Sequence, residues 1–108
     1  MILDGQVVDS CLIPACQVGG SEVLTIEGLG DAAHLHPLQD LFVIEGGTQC
    51  GICTPGMLLA AKGLLDADPD PDDHAIRVAI AGNLCRCTGY EKIVKAVREA
   101  AKVMREGA

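Results

Sequence analysis

Apolar residues come in short clusters or alternate up to about residue 30, then recur every three or four positions after residue 36. The first stretch reads as short strands. Asp4-Gly5 is a turn signal between Met1-Ile2-Leu3 and Gln6-Val7-Val8, and Cys11-Leu12-Ile13 continues the second strand until Pro14 stops it. Gly19-Gly20 marks another turn, and Glu22-Val23-Leu24-Thr25-Ile26 alternates as a third strand. Three strands of so few residues make a poor independent fold, so this stretch is expected to be part of something larger.

The helical period begins after a linker over residues 31–36. Pro37 suits the first position of a helix carrying Leu38, Leu41 and Phe42, and Gly46-Gly47 ends it. Thr54 as N-cap and Pro55 at the first helical position open a second helix to about Asp66, with Met57, Leu58, Ala61, Leu64 and Leu65 as its apolar set. An acidic, proline-bearing loop follows. Asp72 or Asp73 can cap a third helix with Ile76, Val78, Ala79 and Ile80, ended by Gly82-Asn83. Thr88 and Glu91 stand at capping-box spacing before a last helix. That helix aligns Ile93, Val94, Val97, Ala101 and Met104 on one face and sets Lys92, Lys95, Arg98, Glu99 and Lys102 elsewhere. The predicted fold class is therefore mainly α: a four-helix domain over residues 31–108, preceded by a short β-like piece over residues 1–30.

Composition narrows the picture. With 108 residues there is enough chain for one domain with a modest core, and one Tyr and one Phe require that core to be aliphatic. The net charge of −7 and the lack of a basic cluster argue against a nucleic-acid partner. No apolar run reaches the length of a membrane span, and Asp4 stands where a signal peptide would carry basic residues, so a cytoplasmic location is expected. There, six cysteines should be reduced or metal-bound.

Four of those cysteines fall in two short motifs, each just ahead of a predicted helix. Cys50-Gly51-Ile52-Cys53 runs into Thr54-Pro55-Gly56, and Cys85-Arg86-Cys87 runs into Thr88-Gly89-Tyr90. Four thiolates suit tetrahedral zinc or an iron–sulfur cluster. A single intervening residue between Cys85 and Cys87 is uncommon in a zinc knuckle, whereas a [2Fe-2S] cluster needs two thiolates per iron, which one close pair on each iron would supply. Such a centre is anionic and would be stabilised by helix N-termini, with Gly51, Gly56 and Gly89 letting backbone amides approach the sulfurs. No coordination position is left open for a substrate, so no catalytic residue is assigned. A zinc-stabilised helical interaction module without redox function remains the alternative. His34 and His36 could bind metal but read as loop or cap residues. His74 reads as a surface residue at a helix start, and Arg86 either adds positive charge near the cluster or faces a partner.

Over about residues 21–105 the chain resembles the small iron–sulfur subunit of molybdenum hydroxylases, a family that includes xanthine dehydrogenase, aldehyde oxidoreductase and aerobic carbon monoxide dehydrogenase. Gln49 to Met57 and Gly82 to Tyr90 carry the likeness, with Thr25-Ile26-Glu27-Gly28-Leu29 and His36-Pro37-Leu38-Gln39. The resemblance implies a four-helix domain holding the molybdenum-proximal [2Fe-2S] cluster, with Cys50, Cys53, Cys85 and Cys87 as ligands. It implies that Gln49 hydrogen-bonds a pterin cofactor, that Cys87 is the ligand nearest that pterin, and that Ile52 replaces a common aromatic. The implied partners are a molybdopterin-binding large subunit and an FAD-binding medium subunit. Residues 1–30 would be the C-terminal remnant of a plant-type ferredoxin domain. Only Cys11 then matches a ligand of that domain's own cluster, so the chain is expected to lack it. Cys16 is expected to be a small core hydrophobe.

Overall fold

The computed structural model describes residues 1–107. Its four helices are α1 (Pro37–Ile44), α2 (Thr54–Ala67), α3 (Asp73–Ile80) and α4 (Glu91–Glu106), so the fold is mainly α as expected. One core, aliphatic apart from Phe42, joins them: Leu38 and Phe42 of α1, Met57, Leu58, Ala61 and Leu65 of α2, Ile76 and Ile80 of α3, and Ile93, Val94, Val97 and Ala101 of α4. The 3.6-residue period put these side chains on facing stripes, and their burial drives the packing. Val78 was expected in that set. It is instead exposed, because Ile76 and Ile80 already fill the inner face of a two-turn helix.

Two of the predicted helix starts differ from the structure. His36 caps α1: its Nδ1 accepts the Leu38 N–H at 3.1 Å, while Gln39 Oε1 accepts the His36 N–H at 2.9 Å. Asp72 caps α3 through the Ala75 N–H at 2.7 Å. Neither threonine cap forms. Cys53 occupies the cap position of α2, and the Thr54 hydroxyl bonds Thr48 at 2.9 Å. Tyr90 occupies the cap position of α4 with φ 73°, and Glu91 pairs with Arg77 at 2.7 Å rather than reaching back to Thr88.

The N-terminal stretch forms a small antiparallel sheet in the order β2-β1-β3, with β1 (Ile2–Leu3), β2 (Gln6–Val7) and β3 (Val23–Leu24). Asp4 (φ 48°) and Gly5 (φ 84°) make the hairpin turn, both left-handed as a two-residue turn requires. The second strand does not continue: Ser10–Leu12 is a 3-10 turn, as is Ala15–Gln17. Asp9 and Ser10 favour turns, and pairing along β2 goes only as far as Val8, whose N–H bonds Met1 O at 3.0 Å. The sheet lies on α2. Gly63 permits that approach, because a Cβ there would collide with Val7 Cγ2. Four ion pairs brace the bundle at its surface: Asp73–Arg98, Glu91–Arg77, Asp70–Arg105 and Glu45–Lys95.

Candidate metal centre

The two cysteine motifs occupy the loops before α2 and α4. The first loop leaves α1 through Gly46 (φ 75°) and is tied back by a 2.7 Å bond from Gly47 N to Phe42 O. Gly51 (φ 85°) then turns the chain between Cys50 and Cys53 in a conformation that favours glycine. The second loop leaves α3 with Asn83 N bonded to Ile80 O at 2.9 Å. Gly56 lets this loop come close to the start of α2: a Cβ there would sit 2.5 Å from Asn83 Oδ1.

The packing of α1 on α4 and α2 on α3 brings the loops together. Cys50, Cys53, Cys85 and Cys87 line one shallow cavity of about 150 Å³ with Ile52, Leu84 and Arg86. All four cysteines are free thiols. They pair across the motifs and not within them. The Cys87 thiol donates to Cys50 Sγ at 3.5 Å, and the Cys53 thiol hydrogen-bonds Cys85. One close pair per motif was the expectation. The crossed arrangement arises because the loops lie side by side, so each cysteine's nearest counterpart is on the other strand of chain. Cys53 and Cys85 are half-buried against the core, whereas Cys50 and Cys87 are exposed at the rim.

Charge is distributed unevenly within each pair. The Thr88 hydroxyl, then the Thr88 and Cys87 N–H groups, bring the Cys85 thiol down to about 7. Burial, then donation to Cys85, pushes Cys53 up to about 11. At the rim, the Ile52 N–H followed by the Cys87 thiol lowers Cys50, and the shared proton raises Cys87. Within each pair one thiol is thus more acidic than its partner, and metal binding, which needs thiolates, would release the protons that remain.

The amides that serve the sulfurs come from the loops, not from the first turns of the helices. Ile52 N–H serves Cys50, Cys50 N–H serves Cys87, and Cys87 and Thr88 N–H serve Cys85. Gly51 and Gly89 (φ 72°) fit the expected part of letting the chain fold over the sulfurs; Gly56 instead makes room for Asn83. Sequence reasoning missed Tyr90, whose Oη accepts the Cys85 N–H at 2.9 Å. Nothing in the sequence marks a tyrosine for left-handed backbone.

The donor set fits a [2Fe-2S] cluster. Two thiolates on one tetrahedral metal at ~2.3 Å stand about 3.8 Å apart, close to the Cys50–Cys87 separation and far from a disulfide. Among the described residues, no group of three or more His, Cys, Asp or Glu side chains is arranged to hold a single metal ion.

The remaining candidates take no part in the thiol pairs. Gln49 is exposed, immediately before Cys50. Arg86 is exposed on the cavity wall. His36 is used as a cap, His34 sits in a turn built on Asp31, and His74 is exposed in the first turn of α3. Cys11 and Cys16 are exposed in separate 3-10 turns. Cys16 is therefore not a core residue: its 3-10 turn, Ala15–Gln17, buries none of its side chains.

The family described as [2Fe-2S] binding domain matches residues 25–98. The small FeS subunit of nicotinate dehydrogenase from Eubacterium barkeri is 50% identical over 100 residues, covering 93% of this chain and 64% of that subunit. Among solved structures, aldehyde oxidoreductase from Desulfovibrio gigas superposes with a TM-score of 0.94 at 45% identity, over 99% of this chain and 12% of that one. Quinoline 2-oxidoreductase from Pseudomonas putida 86 gives 0.91 at 42% identity, over 98% of this chain and 67% of its matched chain. The chain thus spans about two thirds of the length of the small subunits it matches.

Proposed function

Because the chain belongs to the [2Fe-2S] binding domain family, we propose that it is the electron-transfer iron–sulfur subunit of a molybdenum hydroxylase. In this reading Cys50, Cys53, Cys85 and Cys87 are the four ligands of one [2Fe-2S] cluster. The observation that carries it is the gathering of those thiols as two crossed pairs in one cavity.

A bound cluster would supply storage of a single electron. The chain's residues supply the rest. The half-buried Cys53 and Cys85 anchor the centre against the core, and the loop amides of Ile52, Cys87 and Thr88 offset its negative charge. The rim cysteines Cys50 and Cys87 shorten the distance to a partner's redox group. Around them Ile52 (86% exposed) and Leu84 (84%) offer apolar surface for docking that partner and keeping water from the rim. Gln49, exposed beside Cys50, can present its amide to the polar edge of a pterin. The partners in this reading are a molybdopterin-binding large subunit and an FAD-binding medium subunit, which takes the electrons onward. Residues 1–30 are the end of a ferredoxin-type domain and residues 31–108 the cluster domain. Location is cytoplasmic in this reading; no described helix is long and apolar enough to cross a membrane.

The test is metal and sulfide analysis of the protein purified with its native partners, with a visible spectrum before and after dithionite. Two irons and two labile sulfides per chain, with colour that bleaches, are expected. One colourless zinc per chain would replace this function with a structural metal module, and iron without molybdenum in the complex would remove the hydroxylase assignment.

A further inference from the structure

Among the four thiols, Cys85 carries a hydrogen-bond arrangement of its own. Its Sγ lies 3.1 Å from Thr88 Oγ1 and accepts the Thr88 N–H at 3.4 Å. Thr88 Oγ1 in turn accepts the Tyr90 N–H at 3.1 Å. Gly89 (φ 72°) makes the turn that brings this N–H back to Thr88, and Tyr90 follows in left-handed backbone, which tyrosine rarely adopts. Tyr90 is held there by its half-buried ring and by its Oη, which accepts the Cys85 N–H. The Tyr90 N–H occupies an acceptor site of the Thr88 oxygen, and a metal-bound thiolate has no proton to give. The hydroxyl hydrogen is therefore directed at the sulfur.

We propose that Thr88 is a positioning residue whose hydroxyl, oriented by the Tyr90 N–H, donates to the Cys85 thiolate and favours one-electron reduction of the bound cluster. The inference rests on the cluster assignment above and adds to it which residue sets the potential. Reduction places one more negative charge on a centre already ringed by thiolates, so a donor fixed on a ligand sulfur stabilises the reduced form more than the oxidised one. The step consumes one electron from an external reductant, dithionite in the assay, and turns one ferric iron ferrous, with no bond made or broken.

The experiment is an EPR-monitored redox titration of the complete protein with its partners, following this centre's own signal in wild type, T88V, T88A and T88S. Loss of the hydroxyl in T88V or T88A should lower the equilibrium constant for reduction about tenfold, which is ~59 mV for one electron. T88S, which keeps the hydroxyl, should stay near wild type. In D₂O, wild type and T88S should show one more exchangeable deuteron coupled to the reduced centre than T88V and T88A, which keep only those of the loop amides. A cluster with unchanged potential in T88V and T88A overturns the inference and leaves the cluster assignment standing. Iron loading in T88S alone also overturns it, in favour of a purely structural hydroxyl. A wild-type chain that binds no [2Fe-2S] cluster overturns both.

Discussion

Substituting Gly63 by alanine tests how tightly the N-terminal sheet is seated on α2. Two effects oppose each other. In a helix interior alanine is favoured over glycine by about 1 kcal/mol. Here the new Cβ would collide with Val7 Cγ2. Valine is stiff at χ1, and only the one rotamer that turns its Cβ hydrogen to this place would clear the contact. Either that rotamer change or a shift of β2 away from α2 is needed, and overpacking of this kind costs about 1–3 kcal/mol. The cost outweighs the gain, so G63A should lose about 1 kcal/mol, or ~4–8 °C in Tm for a domain of this size. In a V7A background the obstacle is gone and only the helix gain remains. There G63A should stabilise by about 1 kcal/mol. The sign of one substitution thus reverses with the other, a coupling of ~2 kcal/mol within the range for residues in contact. Thermal unfolding followed by circular dichroism at 222 nm on the four proteins of this cycle gives the answer. Equal effects of G63A in both backgrounds would refute the close contact.

Three further outcomes follow from other parts of the chain. Burial first, then the Lys62 charge, holds His36 below its usual 6.5, with Asp66 opposing; the unfolded chain therefore takes up the proton first, and this contribution to stability is full above about pH 6.5 and lost as pH falls through the folded value. Urea melts between pH 5 and 7.5 should show that loss in wild type and a shallower one in H36N, which keeps a cap but does not titrate. D72A should cost about 1 kcal/mol by removing the acceptor for the Ala75 N–H, read as a shift in the urea midpoint with an unchanged slope. C53S should abolish iron retention, whereas C16S should leave iron content at the wild-type level, since Cys16 is exposed in a turn outside the cavity.

The helices were legible because their signals are local and redundant. Pro37 at a helix start, Asp72 as a cap and the apolar stripe of α4 each say the same thing as their neighbours, and the folded chain agrees. The threonine caps were misread for a physical reason. A hydroxyl next to a cysteine loop has two possible partners, an amide of the first helical turn and something in the loop itself. Thr54 chose Thr48 and Thr88 chose the Cys85 sulfur. Spacing cannot distinguish these outcomes, because it encodes the distance to the helix and not the path of the loop. The lost strand around Cys11 is a similar case: alternation marks residues able to pair, but whether a partner remains is a property of the sheet.

The crossed pairing has a consequence for how the site is held. Cys50 is fixed by the end of α1 and Cys87 by the start of α4, the two helices that pack most extensively on each other. Cys53 sits at the cap of α2 and Cys85 follows α3, again two packed partners. Each sulfur pair therefore reports on one helix pair, and the four meet only when the whole bundle is assembled. Neither motif could hold a metal with its own two cysteines and keep this geometry. A cavity made under the site should therefore loosen a pair without touching a ligand. Ile93 is the sharpest case: it is fully buried at the start of α4, and its Cα lies 3.6 Å from where a Cβ on Gly47 would be. I93A should cost about 2–5 kcal/mol in the metal-free chain, and because a loosened pair binds metal more weakly, the loaded chain loses part of its binding stabilisation as well. The expected signature is a large loss of stability in the metal-free chain and a larger one in the loaded chain, with iron released at lower urea than in wild type. Equal losses in the two forms would mean that the bundle and the thiols are not linked through α1 and α4.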